Sequence, residues 1–281
     1  MSGTGNVDLH LHTTCSHGRF APTRVVELAA ARGLSAIAIT DHNTATGVPE
    51  ACRAGERYGI EVIGGCELSA EWRTWELHVL GLFLDYRAPG FDQAMLTVAR
   101  LWRERLERMM ERVYQADGVR VTWEDLYFTG HIPPVSPLAE AIARARGDMT
   151  TSEAFRAYLD EGQPGYEAPL VDVAWVARTV HDLGGLCALA HPWAYDPVLT
   201  PLGEEDFRQM AAQGLDGLEC YHPGQDPAGL EARIALTRRL GLAVTGGSDC
   251  HGAGPGQPLK LGSQQVPRSV LEELKRRLPA R

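Results

Sequence analysis

The sequence predicts an α/β protein, a distorted seven-stranded (β/α)7 barrel of the TIM-like type with a helical insertion over the barrel mouth. Three observations point to this fold. Strand and helix patterns alternate along most of the chain, and 281 residues with 44% hydrophobic content can bury one large core. Histidines and acidic residues also follow the ends of several predicted strands. Because the carboxyl ends of barrel strands build the active site, we expect these side chains to share one rim.

The predicted elements follow one another as strand and helix. An apolar run at residues 7–11 predicts the first strand. The next helix begins at Pro22 and ends at Gly33, as proline near the start and glycine past the end of a helix indicate. The later predicted strands cover 34–40, 60–64, 77–84, 186–190, 215–221 and 242–245, and the later helices cover 48–58, 173–183, 204–212, 228–240 and 269–278. Seven strands joined mostly by helices predict a parallel barrel.

The alternation is interrupted between residues 91 and 165. Apolar residues from Leu96 to Val113 recur at spacings of three and four, which predicts a long amphipathic helix, and further helices are predicted over 137–146 and 152–160. We expect residues 91–165 to form a cap over the barrel mouth. The barrel domain is then discontinuous and consists of residues 1–90 and 166–281. Arginines of the long helix alternate with glutamates, which indicates a solvated, salt-bridged face.

Composition narrows the possible partners. The net charge of −9 argues against a protein that grips long nucleic acid. Six cysteines without a C-x-x-C pair favour reduced thiols, as in a cytoplasmic protein. No apolar run is long enough for a membrane span and no signal sequence is recognisable, so we expect no membrane partner. The sequence leaves the oligomeric state open.

Histidines and acidic residues recur in short motifs. In Asp8-Leu9-His10-Leu11-His12, strand alternation puts His10 and His12 on one face, as a borderline transition metal requires. The other motifs are S-H-G at 16–18, T-D-H-N at 40–43, G-C-E-L-S at 65–69, E-L-H-V-L-G at 76–81, A-L-A-H-P at 188–192, Y-H-P at 221–223 and G-S-D-C-H-G at 247–252. They place His42, Glu67, His191, His222, Asp249 and His251 just past predicted strands. His78 is the exception, near the start of its strand. Together the motifs predict a metal-dependent hydrolase.

In order and context these motifs resemble the polymerase and histidinol phosphatase (PHP) superfamily of metal-dependent phosphoesterases, over nearly the whole chain outside the insertion. The insertion is most similar to that of the subgroup acting on AMP or nucleoside 3′,5′-bisphosphates, some members of which trim RNA from its 5′ end. The resemblance implies two to three divalent ions, Zn²⁺, Mn²⁺ or Fe²⁺. The implied ligand sets are His10, His12, Glu67 and Asp249 for the first ion, His17, His42 and His251 for the second, and His78 and His191 with bridging Glu67 for the third.

The resemblance also implies a mechanism in which a metal-activated hydroxide in a trinuclear site attacks phosphorus without a protein nucleophile. Asp249 and His251 would belong to the catalytic group, and His222 would contact substrate or protonate the leaving group. His17 stands where the subgroup commonly has aspartate, and the extra nitrogen ligand favours zinc. Cys250 lies between two predicted ligands, but side-chain alternation turns it away from them, so we expect a buried thiol.

The phosphate-binding cations of this subgroup are missing at the corresponding positions. Thr129, Gln163 and Ala194 stand where arginine or lysine is usual, and none of them replaces the lost charge. Arg19 is a candidate replacement, and the further candidate substrate contacts are His131, Trp193 and His222.

Two main hypotheses remain. The first is a phosphoesterase that releases phosphate from a small phosphomonoester such as a nucleotide. The second keeps the same metals but cleaves an amide or ester of a small metabolite, because the expected phosphate-binding cations are absent. A non-catalytic metal-binding module is weaker, since every ligand position is filled, and processive RNA trimming is disfavoured by the charge.

Overall fold

The computed structural model describes residues 5–128, 133–194, 202–254 and 256–279. In these ranges, seven strands form one sheet in chain order. The strands are β1 Val7–Asp8, β2 Ala36–Ile39, β3 Glu61–Trp72, β4 Trp75–Leu82, β5 Leu186–Leu189, β6 Gly217–Tyr221 and β7 Ala243–Gly246. The helices are α1 Pro22–Ala31, α2 Val48–Tyr58, α3 Phe91–Asp117, α4 Ser136–Arg146, α5 Thr151–Ala154, α6 Val173–Asp182, α7 Glu204–Ala212, α8 Leu230–Arg239 and α9 Arg268–Arg277. The predicted α/β class and strand count are confirmed.

The sheet closes where the first strand meets the last. The backbone N–H of Leu9 donates to the carbonyl of Gly246 over 3.1 Å, and that of His12 donates to Cys250 over 3.2 Å. The buried carboxylate of Asp8 accepts hydrogen bonds from the backbone N–H groups of Ser248 and Gly262, each at 2.8 Å. These contacts hold the first histidine motif against the segment that follows β7.

One strand departs from the predicted parallel barrel. β4 runs antiparallel to both β3 and β5, whereas the β1–β2, β2–β3, β5–β6 and β6–β7 pairs are parallel. The prediction of a wholly parallel barrel is therefore wrong at β4. The physical reason is a hairpin with Trp72 opposite Trp75 at its tip, because a two-residue connection can join only antiparallel strands. Arg73 in this turn takes a φ of 60°.

The antiparallel direction also explains the position of His78. β4 enters the barrel from the rim at which its parallel neighbours end, so a residue near the start of β4 lies at that same rim. The carbonyl of His78 accepts the backbone N–H of Ala190, just past β5, over 2.9 Å. His78 therefore agrees with the other motif residues once the strand direction is known.

The apolar residues form three buried clusters. Two of them join the sheet to its flanking helices. The first includes Leu11, Ile37 and Val180, and the second includes Leu9, Leu80 and Leu271. The third contains only residues 102–159, among them Leu106, Met109 and Leu138. The boundaries of the insertion domain, residues 91 and 165, stay a prediction. The third cluster supports this prediction, because its buried residues all lie between these boundaries.

The outer face of α3 carries the predicted salt bridges. Arg103 pairs with Glu107 at 3.1 Å and Arg108 with Glu104 at 2.5 Å. Exposed pairs of this kind contribute little to stability, because solvent screens them. Their charges are nevertheless mutually compensated, as the sequence predicts. None of the helices in the described ranges is long and apolar enough to cross a membrane.

Candidate metal centre

The predicted ligands meet at the rim formed by the carboxyl ends of the parallel strands. One ligand atom from each of His10, His12, Glu67 and Asp249 lies within 4.8 Å of the others. The same limit holds for two further groups, His12 with His42 and His251, and His42 with Glu67 and His78. Three overlapping groups of nitrogen and oxygen donors therefore lie together at this rim of the barrel.

Glu67 lies at the centre of these groups, and its carboxylate is fully buried. Its Oε2 atom is 3.2 Å from Nε2 of His10, Nε2 of His12 and Nδ1 of His42. Its Oε1 atom faces a different pair, Nδ1 of His78 at 3.1 Å and Nε2 of His191 at 3.2 Å. A carboxylate whose two oxygens face separate sets of nitrogens has the arrangement required to bridge two cations.

Asp249 closes the other side of the first group. Its Oδ1 atom is 3.1 Å from Nε2 of His12 and 3.5 Å from Nε2 of His10. Asp249 and His191 both have positive φ values, 48° and 35°, in a region that residues other than glycine seldom adopt. Such conformations cost free energy and concentrate at functional sites, so their occurrence at two predicted ligands supports a functional role.

His17 lies at the solvent edge of the second predicted group. Its ring stacks on those of His251 and His42, with centroid distances of 4.3 and 4.7 Å. His12, rather than His17, joins these two histidines in a group whose ligand atoms lie within 4.8 Å of one another. The proposed role of His17 as a ligand stays a prediction.

Unsatisfied buried atoms test whether the residues fit a metal. In the described ranges, the buried side-chain atoms without a hydrogen bond include Nε2 of His10, Nδ1 and Nε2 of His12, Nε2 of His251 and Oε2 of Glu67. Several of these atoms approach one another closely, but not in hydrogen-bonding geometry. Leaving one such atom unpaired costs about 1–3 kcal/mol. Because imidazole nitrogens and carboxylate oxygens are standard ligands of divalent transition metals, the residues fit such ions.

Electrostatics divides the histidines into two classes. Burial opposes protonation of His12, but the adjacent carboxylates of Asp249 and Glu67 outweigh it and raise the pKa of His12 to about 9. For His10, the charges of Glu219 and Glu67 likewise overcome burial and raise the pKa well above 6.5. Burial and the charge of His12 lower the pKa of His17 to about 4 and that of His251 to about 2. The second class is therefore neutral at pH 7 and ready to bind a cation.

Glu219 is a functional candidate that the sequence analysis missed. This fully buried carboxylate on β6 lies with Oε1 3.1 Å from Nδ1 of His10, and its Oε2 accepts the backbone N–H of His191 over 2.8 Å. Such a partner fixes the imidazole so that Nε2 points toward Glu67 and Asp249. The signal in the sequence was an acidic residue inside an otherwise apolar strand.

Asp41 supports the loop that carries His12 and His17. Its buried carboxylate accepts hydrogen bonds from the backbone N–H and the hydroxyl of Thr13, both at 2.7 Å, and from the hydroxyl of Ser16 at 2.6 Å. The loop also needs glycine at position 18, because a Cβ there would lie 2.7 Å from the backbone of His12. Asp41 therefore holds the loop without being one of the predicted ligands.

His222 lies beside the cluster in a defined tautomer. Its Nδ1 accepts the backbone N–H of Gly224 over 3.0 Å, so the proton of the neutral ring is on Nε2. Nε2 is 3.4 Å from Oδ2 of Asp249. This arrangement presents an N–H group to the edge of the predicted metal site.

The other predicted substrate contacts have different surroundings. Arg19 is exposed, and its backbone N–H donates to the carbonyl of His251 over 2.8 Å. Trp193 packs edge-on against Phe207, with ring centroids 5.5 Å apart, and this contact indicates a packing role. His131 lies outside the described residues. Cys250 is buried in the core, and burial raises the pKa of its thiol.

A cavity of about 250 Å³ opens onto the cluster. His17, His42 and His78 line its barrel side, whereas its other side is formed by residues from α3, from the segment before α4 and from the turn after α5. The predicted ligands are thus accessible to a small molecule from beneath the predicted cap.

Comparison with known proteins identifies similar chains. The PHP domain family matches residues 8–161. The chain is 31% identical to a 3′,5′-nucleoside bisphosphate phosphatase of Chromobacterium violaceum, over 97% of this chain and 98% of that protein. It is 32% identical to a phosphoribosyl 1,2-cyclic phosphate 1,2-diphosphodiesterase of Eggerthella lenta, over 87% of this chain and 94% of the relative. A crystal structure from Bifidobacterium adolescentis, described as a candidate metal-dependent phosphoesterase, matches with a TM-score of 0.77 and 30% identity, over 98% of this chain and 96% of that one.

Proposed function

The chain belongs to the PHP domain family, whose relatives are metal-dependent phosphoester hydrolases, and on this premise we propose that it releases phosphate from a small phosphomonoester such as a nucleotide. The reaction adds water across the P–O bond. The water oxygen becomes bonded to phosphorus, the bond to the leaving oxygen breaks, and that oxygen takes up a proton to give an alcohol.

The arrangement of donors around Glu67 is the observation that carries the proposal. Its two oxygens face different histidines, which supports two to three ions sharing one carboxylate. His10, His12, Glu67 and Asp249 would hold one ion, His17, His42 and His251 a second, and His78 and His191 with Glu67 a third. The many imidazole nitrogens favour Zn²⁺, with Mn²⁺ and Fe²⁺ as alternatives.

Divalent ions in these positions would neutralise the phosphoryl oxygens and acidify the attacking water. The protein residues orient this chemistry. Glu219 holds Nδ1 of His10 and so directs Nε2 toward Glu67 and Asp249. His222 carries its proton on Nε2 at the edge of the cluster and would deliver it to the leaving oxygen.

Arg19 is the proposed contact for the anionic part of the substrate. It follows His17 and Gly18 directly, and its backbone is hydrogen-bonded to His251. Among the residues that the structure describes, its side chain makes no ion pair. An exposed guanidinium on a residue whose backbone is bonded to a predicted metal ligand can approach a phosphate without breaking an existing pair.

A second function is supported by the cavity. No lysine or arginine is found among its described lining residues, although phosphate sites commonly contain such a cation. The same metals would then cleave an uncharged amide or ester. The relatives named for phosphoester hydrolysis favour the first function, and the choice can be tested directly.

The test is phosphate release from nucleotides, nucleoside bisphosphates and sugar phosphates by protein loaded separately with zinc or manganese. The control is Asp249→Asn, which removes a predicted ligand with little change in volume. We expect release by the native chain and none by the control. Fully metallated protein that leaves every phosphoester intact but cleaves esters or amides would establish the second function instead.

A further inference from the structure

The cavity beside the cluster has a composition that differs from that of a phosphate-binding pocket. Its apolar wall is built from α3, the segment before α4 and the turn after α5, and consists of Trp102, Pro133, Pro134, Val135 and Phe155. The opposite side opens onto the predicted ligands. A phosphomonoester with its phosphoryl group at the ligands would therefore place its leaving group against the apolar wall.

From this wall we infer that the substrate is a phosphomonoester whose leaving group is uncharged and mainly apolar, such as a flat aromatic alcohol, and that a second phosphate on the leaving group is rejected. The inference rests on the proposed phosphoesterase function and adds the class of leaving group to it. It also separates this chain from the bisphosphate phosphatase to which it is similar.

The first argument concerns charge. None of the described residues that line the cavity is lysine or arginine. A second phosphate held in the cavity would therefore lose hydration without gaining a lysine or arginine from the described lining. Burying an anion without a partner is strongly unfavourable.

The second argument concerns Glu76, the carboxylate in the lining. Arg105 donates from Nη1 and Nη2 to Glu76 at 2.8 and 2.5 Å, and from Nε to the carbonyl of Glu167 at 2.8 Å. Only 1% of Arg105 is exposed, and it is not among the cavity-lining residues, so its guanidinium serves Glu76 and the backbone. The Glu76–Arg105 pair is close to neutral as a whole and leaves no unpaired positive charge for a second phosphate to bind.

The third argument concerns the aromatic residues. The indole N–H of Trp102 donates to the carbonyl of Pro133 over 2.8 Å, so the polar atom of this side chain is satisfied inside the protein and the ring contributes apolar surface. Phe155 begins a π-helical turn, Phe155–Leu159, a rare element that is frequent at functional sites. Its side chain is 37% exposed, so an apolar leaving group would remove further apolar surface from water.

The test compares three substrates with the metal-loaded native chain. AMP and adenosine 3′,5′-bisphosphate form a pair that differs by one phosphate, and 1-naphthyl phosphate supplies a flat apolar leaving group. We expect kcat/KM to be highest for 1-naphthyl phosphate and at least tenfold lower for the bisphosphate than for AMP. A higher kcat/KM for the bisphosphate than for AMP would overturn the inference.

Two substitutions test whether the apolar wall of the cavity binds the leaving group. Phe155→Ala should raise KM for 1-naphthyl phosphate by about tenfold, the value expected for loss of one partly buried aromatic contact. Leu96→Ala is the matched control, because Leu96 is also an exposed apolar residue, at 64%, but is not among the cavity-lining residues. Equal effects of the two substitutions would refute the assignment of the wall.

A charge-gain variant tests the electrostatic argument. Ser136 is exposed and lines the cavity, so Ser136→Arg should raise kcat/KM for the bisphosphate relative to AMP by about tenfold or more. No change in this ratio would contradict the claim that missing positive charge excludes the second phosphate.

Direct binding separates the inference from the proposed function. Calorimetry with 1-naphthol, the uncharged product, requires no turnover. We expect binding to the native chain and to Leu96→Ala, and weaker binding to Phe155→Ala. Absence of phosphate release together with this binding pattern would refute the phosphoesterase and retain the apolar site. Phosphate release without 1-naphthol binding would refute the apolar site alone.

Discussion

Glu219 provides the most informative single substitution because it contacts both halves of the predicted metal centre. Its carboxylate is fully buried, with one oxygen 3.1 Å from Nδ1 of His10 and the other 2.8 Å from the backbone nitrogen of His191. Glu219→Gln preserves the volume and removes the charge. An amide offers one neutral acceptor oxygen in place of two charged ones, so the variant loses the charge-assisted contact of Oε1 with Nδ1 of His10.

The size of the effect follows from the lost contact. A hydrogen bond to a charged group is worth about 1.5–3 kcal/mol. Loss of a carboxylate that orients a metal-binding histidine typically lowers metal affinity by about 10–100-fold. The two ranges agree, because about 1.4 kcal/mol corresponds to a factor of ten. We therefore expect a 10–100-fold rise in the zinc dissociation constant.

Protonation modifies this expectation in a defined direction. Glu219 helps to raise the pKa of His10, so its removal lowers that pKa and reduces competition between protons and metal. This gain in zinc affinity partly offsets, at neutral pH, the affinity lost with the Glu219 contact. The gain disappears at a pH at which His10 is deprotonated in both the native chain and Glu219→Gln. The measured loss of affinity should accordingly grow as the pH rises.

The assay is a competition titration of metal-free protein with zinc and a chromophoric chelator, with circular dichroism to verify folding. Glu61→Gln is a suitable control, because Glu61 lies at the start of β3 and pairs with Arg268 at 2.8 Å, away from the predicted ligands. A folded Glu219→Gln protein whose zinc affinity equals that of the control would refute the positioning role.

Three further predictions follow from the same geometry. His12→Ala should lower phosphate release by more than about 100-fold with little effect on folding, because His12 takes part in two of the donor groups; circular dichroism and a phosphate assay measure both quantities. The pKa of His12 in the folded, metal-free chain, about 9, exceeds the usual 6.5, so its contribution to stability is fully present below pH 6.5 and is lost as the pH rises through 9. Metal affinity should strengthen as the pH rises from 6.5 to 9, because protons then compete less with the metal. The melting temperatures of chelator-treated and zinc-loaded protein should therefore diverge with rising pH, and parallel plots of melting temperature against pH would contradict this linkage. Asp41→Asn should lower the free energy of unfolding by about 1–3 kcal/mol in urea denaturation, because an amide cannot accept all the hydrogen bonds from Thr13 and Ser16; an unchanged value would contradict the loop-holding role.

Local signals in the sequence predicted most of the fold. Pro22 begins α1 as predicted, and α2 covers the predicted residues 48–58, followed by Gly59 with a φ of 67°. The direction of β4 could not be predicted in this way, because alternation of apolar residues is the same for parallel and antiparallel strands. The turn at Arg73 and Thr74 also lacks the glycine or asparagine that usually marks a hairpin. The resulting error in strand direction made His78 the apparent exception among the motif residues.

In the candidate site, too, residues within short motifs could be predicted, whereas contacts between residues far apart in the sequence could not. The His-x-His motif and the residues after the strands predicted which side chains lie together at the rim, and their ligand roles remain predictions. Glu219 could not be assigned from its neighbours in sequence, because its partner His10 is 209 residues away. Trp193 packs against Phe207, a contact that its position after His191 did not indicate, and its role as a substrate contact stays a prediction.

The central claim is that metal ions held around Glu67 are required for phosphoester hydrolysis. The most direct measurement titrates metal-free protein with zinc and records bound metal and phosphate release from 1-naphthyl phosphate and AMP in the same samples, for the native chain and for folded Glu67→Gln. We expect phosphate release to rise with bound metal, to saturate at two to three equivalents and to be absent in Glu67→Gln. Equal phosphate release by the metal-free protein, or by Glu67→Gln, would contradict the claim.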